Sequence, residues 1–343
     1  MDHQAMLSVI INCYNYAEFV GRAIKSVQVQ NRPDCELIVV DDGSTDGSWD
    51  EISKTGATAY RIGNRGQRYA CLYGLERSTA PFVMFLDADD ELLPGALDTI
   101  MPYLQPAVAK LQFCLERVDR NNNLLGSAVP DPGTIAYRGD LSQRVLRTGV
   151  YVSPPTSGNV FRRDVCELLK DAGYDSAVDG IIILAAPFYG KVVSLREKLG
   201  LYRIHARNKS GAGRGVERRQ IEEELRRFEK RFDHLRDVIR TKGSNLAGLD
   251  CRRTFFHAEK TFLLAILNGA STRFGLLIPL IGITFRDFFP LHRKLILSAF
   301  FVLATLLPPA LATLAVDLRY RPEKRKASLV LKALMGQLQP SRL

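Results

Sequence analysis

Glu36-Leu37-Ile38-Val39-Val40-Asp41-Asp42-Gly43-Ser44-Thr45-Asp46-Gly47 runs from an apolar stretch straight into two carboxylates, then into glycine and small polar residues. A short apolar run rich in β-branched residues and closed by turn residues is the pattern of a buried strand that feeds a helix. Glycine at the turn lets a ligand approach the backbone. A carboxylate beside it accepts hydrogen bonds from a ring N–H or from hydroxyls, which suits a nucleobase or a ribose. Upstream, Leu7-Ser8-Val9-Ile10-Ile11 reads as another buried strand, and Phe19, Val20, Ala23, Ile24 and Val27 recur at three- and four-residue spacing, as on a helix covering a sheet. Thr58–Ile62 and Phe82–Leu86 supply two further strands, the second ending in Asp87-Ala88-Asp89-Asp90. Strands alternating with helical crossovers predict an α/β fold with a mostly parallel sheet flanked by helices. Acids at the carboxyl ends of its central strands lie where open α/β sheets bind ligands.

Asp87, Asp89 and Asp90 repel one another, and crowding of this kind suits a divalent cation, magnesium or manganese, held by hard oxygen ligands and shared with substrate phosphates. A solvated acidic turn capping the next helix is the alternative reading of the same residues. The 343 residues, 46% hydrophobic and 24% charged, exclude a disordered or fibrous chain and leave room for two units. A net charge of +10 suits an anionic partner: nucleic acid, a phospholipid surface or a phosphorylated substrate. The basic residues lack the aromatic interleaving that single-strand binding uses, so nucleic acid is not expected as a partner. Six scattered cysteines without a C-x-x-C pair predict reduced thiols rather than a zinc ribbon or disulfide framework. No basic segment precedes the short apolar run Leu7–Ile11, so no secretory signal is expected and the N-terminal part should remain in the cytosol.

Met101–Gly149 loses periodicity and gathers Pro, Asn and Gly, which predicts two short strands around a loop. Ile221, Leu225, Phe228, Phe232, Leu235 and Ile239 step by three and four, giving one amphipathic helix. Beyond it, Phe262–Phe285 is largely apolar apart from Arg273, and Leu295–Val316 holds no charge. By length the second segment could span a bilayer. A single crossing from the cytosol, however, would place the stronger basic cluster (Arg319, Arg321, Lys324, Arg325, Lys326) outside, against the positive-inside tendency. Pro308-Pro309 also interrupts the run. An in-plane or re-entrant hairpin keeps this cluster, and Arg293 and Lys294 before the run, beside anionic headgroups, while two crossings and a soluble buried hairpin stay open as alternatives. The expected division is a catalytic domain over 1–215, an amphipathic helical linker over 216–245 and a helical, apolar, membrane-associated extension over 246–343.

Ser8-Val9-Ile10-Ile11-Asn12-Cys13-Tyr14-Asn15-Tyr16, Ser26-Val27-Gln28-Val29-Gln30, Glu36–Asp46 and Phe85–Gly95, in that order, closely resemble the family 2 glycosyltransferases. More weakly, Tyr202-Arg203-Ile204-His205-Ala206-Arg207-Asn208-Lys209-Ser210 is similar to that family's Y-R-x-H-x-x-N-x-S segment. The resemblance implies a GT-A fold, a nucleotide-sugar donor, inversion at the anomeric carbon and a divalent cation, Mn or Mg. Carried over residue by residue, it makes Asn12 and Tyr14 contacts to the nucleoside and Asp42 the partner of the base, with Asp41 supporting that loop. Asp87 then faces ribose and metal, Asp89 coordinates the metal on the diphosphate, and Asp90 assists. His205 has two readings, a core histidine or a third metal or diphosphate contact. Arg203 and Lys209 have two readings, closing on phosphate or simply solvated at a loop end.

The same resemblance makes Asp179, in Ala177-Val178-Asp179-Gly180, the base that takes the acceptor proton. Val178 stands where the family usually has a preceding acid, and Asp175 is a rival nearby. Thr156-Ser157-Gly158-Asn159, followed by Phe161-Arg162-Arg163, resembles the acceptor-side segment. Relatives often carry Arg-Asn where Cys71-Leu72 stand, and Arg68 is expected to reach the diphosphate in their stead. The implied activity is metal-dependent, hexosyltransferase-type transfer from a nucleotide sugar, expected to be a UDP-sugar, to a glycan or lipid-linked acceptor. It would serve cell-surface polysaccharide or glycolipid synthesis at the cytoplasmic face of a membrane touched by the C-terminal extension. A polyisoprenyl-phosphate glycosyltransferase and a non-catalytic membrane- or nucleotide-binding protein are the competing readings.

Overall fold

The apolar runs of the first 90 residues pair with one another as their acid-terminated ends predict, with the acids at one edge. The computed structural model describes residues 4–136, 140–205, 218–243 and 249–320. Strands β1 (Leu7–Cys13), β2 (Cys35–Asp41), β3 (Thr58–Arg61), β4 (Phe82–Asp87), β5 (Glu91–Leu92), β6 (Val108–Val118), β7 (Asn159–Arg162) and β8 (Lys191–Arg203) form one eight-stranded sheet, ordered β3-β2-β1-β4-β7-β6-β8-β5. β1 lies parallel to β2 and β4, and β2 parallel to β3. β7 runs antiparallel to β4 and β6, β8 returns parallel to β6, and β5 closes the edge antiparallel to β8. The mostly parallel sheet expected from the sequence is present.

Helices α1 (Val20–Gln28), α2 (Ser48–Ser53), α3 (Gln67–Arg77), α4 (Ala96–Ile100), α5 (Pro132–Ile135), α6 (Leu141–Thr148), α7 (Arg163–Cys166) and α8 (Gly180–Tyr189) connect the strands. α1 buries Val20, Ala23, Ile24 and Val27, the residues its spacing singled out. Fully burying aliphatic side chains of this size stabilises by roughly 1.5–3 kcal/mol each before entropy is counted. α3 lies so close to β1 that a Cβ on Gly74 would stand 2.5 Å from Ile10 Cγ2.

Between Met101 and Gly149 the structure corrects the expectation of two short strands. β6 is one eleven-residue strand, buried except around Glu116 and Arg117, and the helices α5 and α6 follow it. Lys110 and Gln112 break its apolar run in the sequence, yet both are buried. Lys110 Nζ donates to Gln112 Oε1 at 2.7 Å, to Ser153 Oγ at 2.8 Å and to Tyr151 Oη at 3.2 Å. Hydrogen bonding of this completeness lets polar residues occupy a strand buried on both faces.

The described residues fall into two compact units. One is drawn from Met1–Val145, Val150–Arg207 and His234–Asn245, the other from Leu146–Gly149, Asn208–Asp233 and Leu246–Leu343. The amphipathic helix is α9 (Arg218–Thr241), whose residues are divided between the two. In the second unit, Ile221 and Leu225 share a core with α10 (Phe255–Leu267), α11 (Arg273–Arg286), α12 (Leu291–Leu306) and α13 (Pro309–Tyr320). The uncharged run Leu295–Val316 is not one helix. Leu307, between α12 and α13, is extended at φ −66°, ψ 147°, as a residue before proline tends to be. Among the described residues no helix is long and apolar enough to cross a membrane. The C-terminal helical extension is therefore present as several short helices.

Candidate active site

β1, β2 and β4 end side by side, with Asn12 opposite Asp87 and Cys13 opposite Asp41. Asn12 Nδ2 donates to Asp87 Oδ1 at 3.3 Å, and Gln67 Nε2 donates to the same oxygen at 2.8 Å. Gln67 is the first residue of α3, and Asp42 sets where that helix starts. Asp42 Oδ1 accepts from Arg65 N and Oδ2 from Gly66 N, each at 2.8 Å. The Asp42 turn depends on Gly43, which has φ +71° and where a Cβ would lie 2.7 Å from Asn64 N. Asp41 is held by Arg61 Nε at 3.2 Å and by Ser44 N at 3.3 Å.

The acids after β4 divide by partner. Asp89 Oδ2 lies 2.9 Å from His205 Nε2, whose ring stacks on Phe19 at 5.2 Å and meets Tyr16 edge-on at 5.8 Å. His205 thus packs against aromatic rings and touches an acid of the cluster, combining features of both its readings. Asp90 is buried: its Oδ2 accepts from Ser157 Oγ at 2.6 Å and its Oδ1 from Arg203 N at 2.9 Å. Ser157 Oγ in turn accepts from Asp87 N at 3.1 Å, so one hydroxyl ties two of the acids. The Arg203 guanidinium lies beneath the loop, fully buried, donating to the carbonyls of Asp89 at 2.8 Å and Asp119 at 2.9 Å and pairing with Glu91.

Burial, reinforced by the charge of Asp89, pushes the Asp87 carboxyl up to about 7 against the lowering pull of Asn12, and the charge of Asp179 adds to the rise. Burial first, then Asp89 and Asp87, pushes Asp90 up well above the usual carboxylate range. Such a cluster gains from a cation. Two carboxylates and an imidazole are a hard oxygen and nitrogen set that fits Mn or Mg. Among the described residues no set of three or more His, Cys, Asp or Glu side chains is arranged to hold a metal by itself. Remaining ligands would have to come from donor phosphates and water.

Asp179 is the residue immediately before α8, and Thr156 Oγ1 donates to its Oδ2 at 3.2 Å. Its rival Asp175 is buried and accepts from Ala177 N at 3.1 Å, closing the preceding turn. Of the acceptor-side residues, Ser157 and Asn159 are fully buried, and a Cβ on Gly158 would lie 2.5 Å from Pro154 Cβ. Asn159 Nδ2 donates to the Pro155 carbonyl at 2.9 Å. These three residues build the loop from which Thr156 reaches Asp179. Tyr14 is exposed just beyond β1. Arg68 is not brought to the acids, since its Nη1 donates to the Leu169 carbonyl at 2.9 Å. Gln67, which sequence reasoning passed over, holds Asp87 instead, and its only signal was its place as a polar residue opening a helix right after Gly66. Lys209, with Asn208 and Ser210, lies outside the described residues.

Arg203→Met is expected to destabilise the first unit by about 3–5 kcal/mol, because it strips the Asp89 and Asp119 carbonyls of their buried donor and leaves Glu91 to the more distant Arg22, 3.8 Å away. Thermal and denaturant unfolding measure this, and an unchanged midpoint would contradict the reading of Arg203 as the fastener of the acidic loop.

Residues 8–167 match glycosyl transferase family 2. An uncharacterized glycosyltransferase of Nostoc sp. is 37% identical over 213 residues, which cover 59% of this chain and 66% of that protein. The GalNAc(5)-diNAcBac-PP-undecaprenol beta-1,3-glucosyltransferase of Campylobacter jejuni is 39% identical over 105 residues, 28% of this chain and 33% of that protein. The chain therefore spans about two thirds of the first relative and one third of the second. The crystal structure of S. aureus TarS 1-349 in complex with UDP-GlcNAc shares the fold, with a TM-score of 0.54 at 18% identity over 97% of this chain and 92% of that one. Residues 8–167 are thus the part of the chain that matches glycosyl transferase family 2.

Proposed function

We propose that the protein is an inverting glycosyltransferase that moves a sugar from a nucleotide-sugar donor, a UDP-sugar, to a hydroxyl of a glycan or lipid-linked acceptor in cell-surface polysaccharide or glycolipid synthesis. One observation carries this reading: Asp87 and Asp89 stand at the carboxyl end of β4, Asp87 held by Asn12 and Gln67 and Asp89 against His205. Both side-chain donors go to Oδ1 of Asp87, and Oδ2 meets no donor among the described residues, which suits it to a ribose hydroxyl or a cation. Asp87, Asp89 and His205 would hold Mn or Mg together with the donor diphosphate. When bound, the ion stabilises the negative charge that develops on the departing nucleoside diphosphate. Asn12, Tyr14 and Asp42 line the strand ends where a nucleoside fits, and Asp179 takes the proton from the acceptor hydroxyl.

The named acceptor of the Campylobacter relative, an undecaprenol-linked glycan, supports a lipid-linked acceptor here. The TarS complex with UDP-GlcNAc supports a uridine donor. The apolar, basic C-terminal helices support work at the cytoplasmic face of a membrane. Calorimetric titration with UDP and GDP, each with manganese and with chelator, tests the donor reading. UDP is expected to bind with manganese at least about tenfold tighter than GDP, a gap of about 1.4 kcal/mol, and to be released by chelator. Failure of both nucleotides to bind would sink the reading.

A further inference from the structure

α11 and α12 contain no Asp or Glu; their ionisable groups are Arg273, Arg286, His292, Arg293 and Lys294. The helices pack on each other, and Leu280, Leu297, Phe301 and Ala304 point into the core of the second unit. Other apolar side chains face outward. Ile278 is 81% exposed and Leu306 70%, with Phe274 and Phe285 also exposed on α11 and Leu295 and Leu303 on α12. Their spacing of four and seven residues on α11 and of eight and three on α12 lines them up along each helix. Isolated exposed apolar residues are normal on a soluble surface, but two adjacent stripes of them mark an interaction face.

We infer that the outer face of the α11–α12 hairpin is the surface that lies in the plane of an anionic phospholipid membrane, its stripes against acyl chains and Arg286, Arg293 and Lys294 against lipid phosphates. This inference rests on the proposed membrane location and adds the face and the lipid charge. Helices of 14 and 16 residues are only about 21 and 24 Å long, short of the roughly 30 Å hydrocarbon core, so they fit along the interface and not across it. Charge selects lipid over a second copy of this chain. An isologous pair would set Arg286, Arg293 and Lys294 against one another with Asp287, at the end of α11, as the one carboxylate in the hairpin to receive three cations, whereas anionic headgroups attract them. At the other end of the hairpin, Arg273 Nη2 donates to the Leu307 carbonyl at 3.1 Å, while its buried Nε and Nη1 have no acceptor among the described residues.

Flotation of the full chain with vesicles of phosphatidylcholine, alone or with about 30% phosphatidylglycerol, tests this. The native chain is expected to float with the anionic vesicles at least about tenfold better than with neutral ones, and Ile278→Asp/Leu306→Asp to lose about tenfold or more of that binding. UDP affinity and thermal midpoint should stay native in the variant, which shows that it folds. Native flotation by the double variant would overturn the assigned face while leaving the membrane location standing, since another segment would then be the anchor. Failure of the native chain to float with either vesicle would overturn both. A double variant that floats normally but dissociates a native oligomer would assign the face to a second copy and overturn the inference.

Discussion

Asp89→Asn is expected to keep the fold and to lose metal-dependent sugar transfer by about 100- to 1,000-fold, the scale of removing one preorganised electrostatic group from a transition state. The scaffold survives because it is the Asp89 carbonyl, not its side chain, that accepts from Arg203 Nε. The site does not, because the carboxylate facing His205 is gone. Asn also lifts a repulsion. Burial and the charge of Asp89 push Asp87 up to about 7 from its ordinary 3.8. A carboxyl raised on folding contributes stability that is complete below about pH 4 and lost as the pH climbs through about 7. A cation needs the ionised carboxylate, so manganese affinity should rise over that same interval and offset the loss. In Asp89→Asn the interval moves to lower pH. Manganese titrations and thermal melts at about pH 6 and pH 8 read both effects, and a variant with native turnover would remove Asp89 from the metal site.

The parallel half of the sheet is legible because each of its apolar runs ends in residues that cannot continue a buried strand. Val39-Val40 gives way to Asp41-Asp42-Gly43, and Phe85-Leu86 to Asp87, so the chain marks both the strand and the edge where ligands gather. β6 is hidden because Lys110 and Gln112 interrupt its apolar pattern, and the groups that satisfy them, Tyr151, Ser153 and Ser194, are distant in sequence. The helix-opening Gln67 and Arg68 show the same limit on a smaller scale. Both can reach a polar partner, but which one faces Asp87 depends on where Asp42 fixes the turn before α3. Arg203 looks like a phosphate contact when only its charge is visible. Its burial follows from β8 pairing with β5 and β6, which brings Asp89, Glu91 and Asp119 around the guanidinium. In the C-terminal unit, composition shows the apolar character, while Leu307-Pro308 decides that it is delivered by short helices.

Asp179→Asn is expected to slow transfer to a hydroxyl acceptor by about 10²- to 10⁴-fold, the usual contribution of a positioned general base, and to leave UDP affinity within about twofold. The substitution is conservative in every respect but basicity. Asn is as good as Asp before a helix, and the Asp179 side chain makes no capping bond to α8 that would be lost. Thr156 Oγ1 retains an oxygen to donate to. Asp179 stands before α8, outside the β4 acids, and its charge adds to the rise at Asp87. Asp175→Asn, by contrast, should cost little activity, since that carboxylate is buried and accepts from the Ala177 N–H within the preceding turn. The choice of acceptor sharpens the test. A hydroxyl must lose its proton as the new bond forms, whereas a lipid phosphate oxygen is already ionised at neutral pH and needs no base. Loss of rate with a hydroxyl acceptor therefore assigns both the base and the acceptor class. Native rates in Asp179→Asn with a polyprenyl phosphate, together with no transfer to hydroxyls by the native enzyme, would instead make the phosphate itself the nucleophile and leave Asp179 a structural residue ahead of α8.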